Sequence, residues 1–205
     1  MKHFEVDGVD SEFGADSKCA RLSRSLGAMD CTVAVIADDV ADIVHSAGGW
    51  IFDRVRAGWR VSAWTTSPCD LTPLVILGVR PTSIYTSWLA ELSEAQPASL
   101  AIQSDLLAPE SPLNIEVQEL MRCPTTEVTV WGDGKLLSER QFQPVQHTLS
   151  PAARRFKKHA LERVERSPAT DETEYFRCRA PWYPLDGGAD LQQVSADQPT
   201  IVQAN

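Results

Sequence analysis

The sequence predicts an α/β fold, a single three-layer domain with a mostly parallel sheet of about four to six strands, an antiparallel hairpin at one edge, and a C-terminal helix followed by a flexible tail. Three observations predict it. Thr32 to Thr65 reads as a complete strand, helix, strand unit; Ala98 to Gln103 repeats the pattern of a buried strand; and Gly132-Asp133-Gly134 follows the strand-like run Glu127 to Trp131 with a hairpin signal.

Within the first unit, Thr32 to Ala37 is apolar and rich in β-branched residues, as expected of a strand buried on both faces. Asp38 and Asp39 follow, placed to accept hydrogen bonds from the first free N–H groups of a helix. In that helix Val40, Ile43, Val44, Ala47, Trp50, Ile51 and Val55 share one face, while Asp42, Ser46, Asp53 and Arg56 share the other. Gly48-Gly49 weakens a helix interior, which predicts close packing there. Gly58 ends the helix, and Arg60 to Thr65 resumes a strand that a right-handed crossover sets parallel to the first.

The chain then alternates short elements. Asp70 is expected to cap a helix over Leu71 to Leu77 closed by Gly78, with Pro73 in its first turn. A strand over Thr82 to Tyr85 and a helix over Trp88 to Gln96 precede the strand Ala98 to Gln103. Ser111 and Pro112, then Ser150 and Pro151, give the cap-then-proline order that opens a helix. The first of these runs to about Arg122 and the second to about Arg166. Ala153, Phe156, Ala160 and Val164 are the expected buried stripe of the second. The strand Glu127 to Trp131 is expected to pair with Lys135 to Ser138 or slightly beyond. Residues 1–30 read as a partly ordered extension with a short helix around Lys18 to Leu26, 31–149 as the core, 150–166 as a basic helix, and 167–205 as a flexible acidic tail with an aromatic cluster.

A net charge of -9 argues against binding nucleic acid or an anionic membrane through a general basic surface. The longest apolar stretch, Leu74 to Val79, is far too short to span a bilayer, and no apolar run after Met1 resembles a secretory signal. The missing signal makes the cytoplasm the expected compartment; the five cysteines are odd in number and contain no C-x-x-C pair, so neither a disulfide framework nor a zinc site is expected. Cys69, beside Asp70, has the best case for a reactive thiol, against the simpler reading of a small buried residue.

Chemistry in an open α/β sheet sits beyond the carboxyl ends of the parallel strands. That rule selects Asp38 and Asp39, then Thr65, Thr66 and Ser67, then Ser104 and Asp105, as ligand or metal candidates. Three carboxylates meeting there would suit magnesium, with helix capping as the competing explanation. Gly132, Gly134 and Lys135 lack the spacing of a phosphate loop. His45, His147 and His159 have no partner at ligand or triad spacing, and no G-x-S-x-G elbow occurs. A second candidate surface is the basic helix, six Arg or Lys against two Glu from Ser150 to Arg166. There Arg154, Arg155, Lys157 and Lys158, with the aromatic residues Tyr175, Phe176, Trp182 and Tyr183, would meet a protein partner.

Asp38-Asp39, Gly58-Trp59-Arg60-Val61 and Asp105 to Pro109 together resemble the receiver domains of two-component signalling, in which an acidic pair binds magnesium and a separate Asp accepts phosphate. The interval from Asp39 to Asp105 exceeds that pattern and no lysine ends a last strand, so the resemblance is not adopted. Ala47-Gly48-Gly49 in the first helix, followed by Ala57-Gly58-Trp59 before a strand, resembles the sugar-amide deacetylases related to phosphatidylinositol-glycan biosynthesis. Their metal-binding His-Pro-Asp-Asp-Glu is incomplete here, since Ala37-Asp38-Asp39-Val40 lacks the histidine and the glutamate, and the resemblance implies the fold at most. With no catalytic constellation visible, the sequence favours a cytosolic regulatory or partner-binding protein. The alternative is a small-molecule or nucleotide-binding enzyme, magnesium-dependent if the carboxylates converge, with its site at the carboxyl edge of the sheet.

Overall fold

The computed structural model describes residues 31–81, 97–122, 126–134, 139–164, 171–179 and 190–194. The predicted elements at Lys18 to Leu26, Thr82 to Tyr85 and Trp88 to Gln96, the strand Lys135 to Ser138, and the aromatic residues Trp182 and Tyr183 lie outside them.

The leading strand, β1 (Thr32–Ala37), runs into α1 (Val40–Arg56) and then β2 (Arg60–Thr65). After α2 (Thr72–Ile76) come β3 (Arg80–Pro81), β4 (Ser99–Gln103), α3 (Pro112–Arg122) and β5 (Glu127–Trp131). The chain continues through β6 (Gln143–Thr148), α4 (Pro151–Arg163), β7 (Thr173–Arg179) and β8 (Gln192–Gln193). The strands form one sheet of order β3-β2-β1-β4-β5-β7-β6-β8. β1 to β5 are parallel, and β5-β7, β7-β6 and β6-β8 pair antiparallel.

Alternation along β1 sends side chains to two cores. Val33, Val35 and Ala37 join α1, α2 and α4, whereas Ala34 and Ile36 join Leu113, Val117 and Leu120 of α3 on the other face. This is the three-layer arrangement expected of an α/β chain. Gly49 lies so close to Leu149 that an added Cβ would sit 2.4 Å from its Cγ, and a Cβ on Gly48 would be 3.3 Å from Leu77 Cδ1. The glycine pair therefore lets the segment before α4, and α2, approach α1.

The antiparallel edge is built differently from the expected hairpin. The partner of β5 is β7, which arrives after β6 and α4, so the edge results from a long return of the chain and not from a tight turn at Gly132-Asp133-Gly134. The segment beyond α4, expected to be a flexible tail, supplies that strand: Glu174, Phe176 and Cys178 point inward in strict alternation. In α4 the buried residues are Ala153, Lys157, Ala160 and Leu161. Phe156, expected inside, is 41% exposed and stacks on Phe52 at 4.6 Å between ring centroids. No helix among the described residues is long and apolar enough to cross a membrane.

Candidate functional site at the carboxyl edge of the sheet

Strand register aligns the candidate residues. Ala37 stands opposite Thr65, and Gln103 opposite Trp131, so Asp38, Thr66, Ser104 and Gly132 are each the first residue past the edge of a parallel strand. Strand order reverses between β1 and β4, the switch point where open α/β sheets place ligands.

The residues past β1 and β2 do converge. One oxygen of the exposed Asp38 carboxylate accepts from the hydroxyls of Thr66 and of Ser67, the latter at 3.0 Å. The Ser67 N–H donates to the Asp38 carbonyl at 2.9 Å, so the two loops form one unit. Asp39 caps α1 and accepts from the Asp42 N–H at 2.8 Å. The buried Thr65 hydroxyl turns back to the Ser67 carbonyl at 3.0 Å, and the thiol of the exposed Cys69 lies 3.4 Å from Thr65 Oγ1. Asp70, expected as a helix cap, instead closes a turn by accepting from the Thr72 N–H and hydroxyl, which holds its carboxyl below the usual range.

Gln103, which sequence reasoning passed over, spans the switch point. Its Oε1 accepts from the Asp38 N–H at 2.8 Å and its Nε2 donates to Asp42 Oδ2 at 3.2 Å. Ser104 and Asp105 turn instead toward the loop after β5. The buried Ser104 hydroxyl accepts from the Gly134 N–H at 2.9 Å, and a Cβ on Gly134 would lie 2.6 Å from the Ser104 backbone. Gly132 has φ +87°, a conformation that glycine adopts without strain. Asp105 is exposed and makes no hydrogen bond or ion pair with the Asp38 group among the described residues. Among the described residues the three candidate carboxylates do not form a cluster of the kind that holds a metal.

A cleft of about 520 Å3 opens at the carboxyl end of β5, between α1 and the start of β7. Trp131, Asp133, His45, Tyr175 and Arg177 are among its lining residues. Trp131 is 3% exposed and its indole N–H has no acceptor among the described residues. Arg177 anchors one guanidinium nitrogen on the carbonyls of Gly132 at 2.9 Å and Gly134 at 3.1 Å. At the cleft floor the Glu174 carboxylate accepts from the N–H groups of Gly49 and Trp50, each at 2.8 Å, and from Lys157 Nζ at 2.6 Å. Arg177 was hidden in sequence because β7 was read as tail.

The proposed partner-binding set does not form one surface. Lys157 is buried against Glu174, Arg154 pairs with Glu172, and Phe176 is in the core. Arg155, Lys158 and Tyr175 are the exposed members among the described residues.

A Ser, His and Asp group occurs on the same side of the sheet as α1, without triad geometry. Asp53 Oδ2 lies 2.9 Å from His147 Nε2, and Asp53 Oδ1 accepts from the Ser150 hydroxyl at 2.6 Å. The carboxylate stands between the other two, and Ser150 is the N-cap of α4. Burial acts to raise the Asp53 carboxyl, and the hydrogen bonds from His147 and Ser150 outweigh it, leaving it below the usual range. Burial likewise acts to lower His147, and Asp53 with the Asp190 carbonyl outweighs that and raises it. The group is a cap and a staple, with no nucleophile presented to a cleft.

No protein-family model matches the sequence, and no curated protein matches it. Solved structures do. The A40926 pseudoaglycone deacetylase Dbv21 superposes with a TM-score of 0.53 at 11% identity, over 76% of this chain and 100% of that one. The deacetylase of the teicoplanin biosynthesis pathway matches in its teicoplanin complex with a TM-score of 0.51 at 11% identity, over 72% of this chain and 97% of that one. In its complex with bog the score is 0.50 at 14% identity, over the same shares. The chain shares the deacetylase fold. These two solved chains are deacetylases, which runs against the reading of a regulatory or partner-binding protein.

The metal centre that the deacetylase resemblance implies has to be tested against the residues present. With Ala37-Asp38-Asp39 aligned to Pro-Asp-Asp, Ile36 stands at the histidine and Val40 at the glutamate; they are 0% and 1% exposed and lie in separate cores. Among the described residues no three His, Cys, Asp or Glu side chains come together as a metal would require. The donor set does not fit a metal, and the magnesium expectation loses its geometric basis.

Proposed function

We propose that the protein is an enzyme acting on a small polar molecule, with its site at the carboxyl edge of the sheet. The cleft beside β5 carries this reading, because it has the size of a small-molecule site and opens at the carboxyl end of a parallel strand. Arg177 supplies a donor, Asp133 and Asp171 supply acceptors, and Tyr175 supplies an aromatic wall. The deacetylases that share the fold support hydrolysis of an acyl group as the reaction to assay first. A cytoplasmic location fits the free thiols of Cys31, Cys69 and Cys178.

Thermal unfolding against a panel of acylated sugars, acylated amino acids, nucleotides and phosphorylated metabolites tests the reading, since a ligand of the native state raises apparent stability by mass action. The expected result is a stabilising compound whose effect is lost in Arg177→Ala and Tyr175→Ala while both variants stay folded. A ligand whose effect survives both substitutions places binding elsewhere and overturns the assignment.

A further inference from the structure

We infer that a clamp of side-chain hydrogen bonds holds the crossover after β1 in place of a resident metal ion. The inference rests on the residues that occupy this crossover, and it is independent of what binds in the cleft.

Each carboxylate that a metal would need has another partner. One oxygen of Asp38 takes the hydroxyls of Thr66 and Ser67, Asp39 takes the Asp42 N–H at 2.8 Å as cap of α1, and Asp42 takes Gln103 Nε2 at 3.2 Å. Gln103 then receives the Asp38 N–H at 2.8 Å, so its one side chain joins the end of β4 to the end of β1 and the first turn of α1. The positions where the deacetylase motif has its histidine and glutamate carry Ile36 and Val40, whose apolar side chains are built into opposite cores. Neutral hydroxyls and an amide orient the carboxylates here, and they need no compensating cation.

The test uses the full chain, purified without chelator from zinc-supplemented medium, with bound metals measured by mass spectrometry and unfolding followed with added zinc, magnesium or EDTA. The expected content is below about 0.1 equivalent per chain at the crossover, and the unfolding midpoint should move by less than about 1 °C with either cation or with chelator. Asp38→Asn and Asp39→Asn serve as reporters, because asparagine retains an acceptor and still caps a helix. About one equivalent of metal that disappears in these variants, or an EDTA-induced loss of stability that they abolish, overturns the inference. Metal that persists unchanged in both variants is bound elsewhere and leaves the crossover as assigned. The clamp itself is read from Gln103→Leu, which should lower the midpoint by roughly 4–8 °C. A Gln103→Leu protein as stable as the parent overturns the clamp. Metal content is read without substrate, so its outcome is distinct from that of the ligand panel.

Discussion

Arg54 and Asp190 meet as a fork, with the guanidinium Nε and Nη2 on the two carboxylate oxygens, the second bond at 2.7 Å, and the same Nη2 also reaches Glu127 at 3.1 Å. The guanidinium lies 4.1 Å from the centroid of the Trp59 ring and 5.1 Å from that of Trp50, and Arg54 is 3% exposed. This group ties the segment bearing β8 to α1 at the amino end of the sheet, away from the candidate site.

Removing the cation should therefore unsettle the fold. Arg54→Met leaves Glu127 and Asp190 facing each other without their shared cation, and the expected loss is about 3–5 kcal/mol in urea denaturation. Arg54→Lys keeps the charge without the planar fork and should recover only part of it. A Met variant within about 1 kcal/mol of the parent would show that the group contributes little.

His147 lies between two oxygens that accept, Asp53 Oδ2 and the Asp190 carbonyl, each at 2.9 Å, so the imidazolium satisfies both. Its raised pKa gives stability that is complete below about pH 6.5 and lost as pH rises through the folded value. The lowered Asp53 gives stability present above about pH 4 and lost as pH falls through its folded value. Unfolding midpoints should peak between these limits on account of this pair. In His147→Gln the decline on the alkaline side should flatten, and a profile identical to the parent's would count against the staple.

The glycines separate crowding from backbone conformation. Gly49→Ala drives a Cβ into Leu149 and should cost about 1–3 kcal/mol. Gly58→Ala meets nothing within 4 Å, yet its φ of +95° should still cost about 1 kcal/mol. Adding Leu149→Ala should relieve the first and leave the second unchanged; equal relief of both would contradict the crowding assignment.

Thiol labelling under native conditions should divide the described cysteines. Burial, with the Glu127 charge adding to it, pushes the Cys178 thiol up to about 12, so it should stay unmodified at pH 8 while the exposed Cys69 reacts with iodoacetamide. Comparable labelling of the two by peptide mass spectrometry would place Cys178 in contact with solvent.

Local sequence carried the parallel half of the molecule. The apolar run Thr32 to Ala37, the helical stripe from Val40 to Ile51 and the Ser-Pro openings at Ser111 and Ser150 act through near neighbours, and each appears as an element close to its expected bounds. The edge positions of Asp38, Thr66 and Ser104 followed from the same reading.

Tertiary structure decided the rest. Pro144 disguised β6, and the charged Glu174 disguised β7, whose inward carboxylate is tolerable only because Gly49, Trp50 and Lys157 reach it from two helices. The same pairing buried Lys157 and removed it from the basic face. Sequence spacing by itself determined which residues stand at the carboxyl edge. Which carboxylates were already engaged there was settled by partners as distant in sequence as Gln103 is from Asp38, because a hydrogen bond depends on where side chains meet in space.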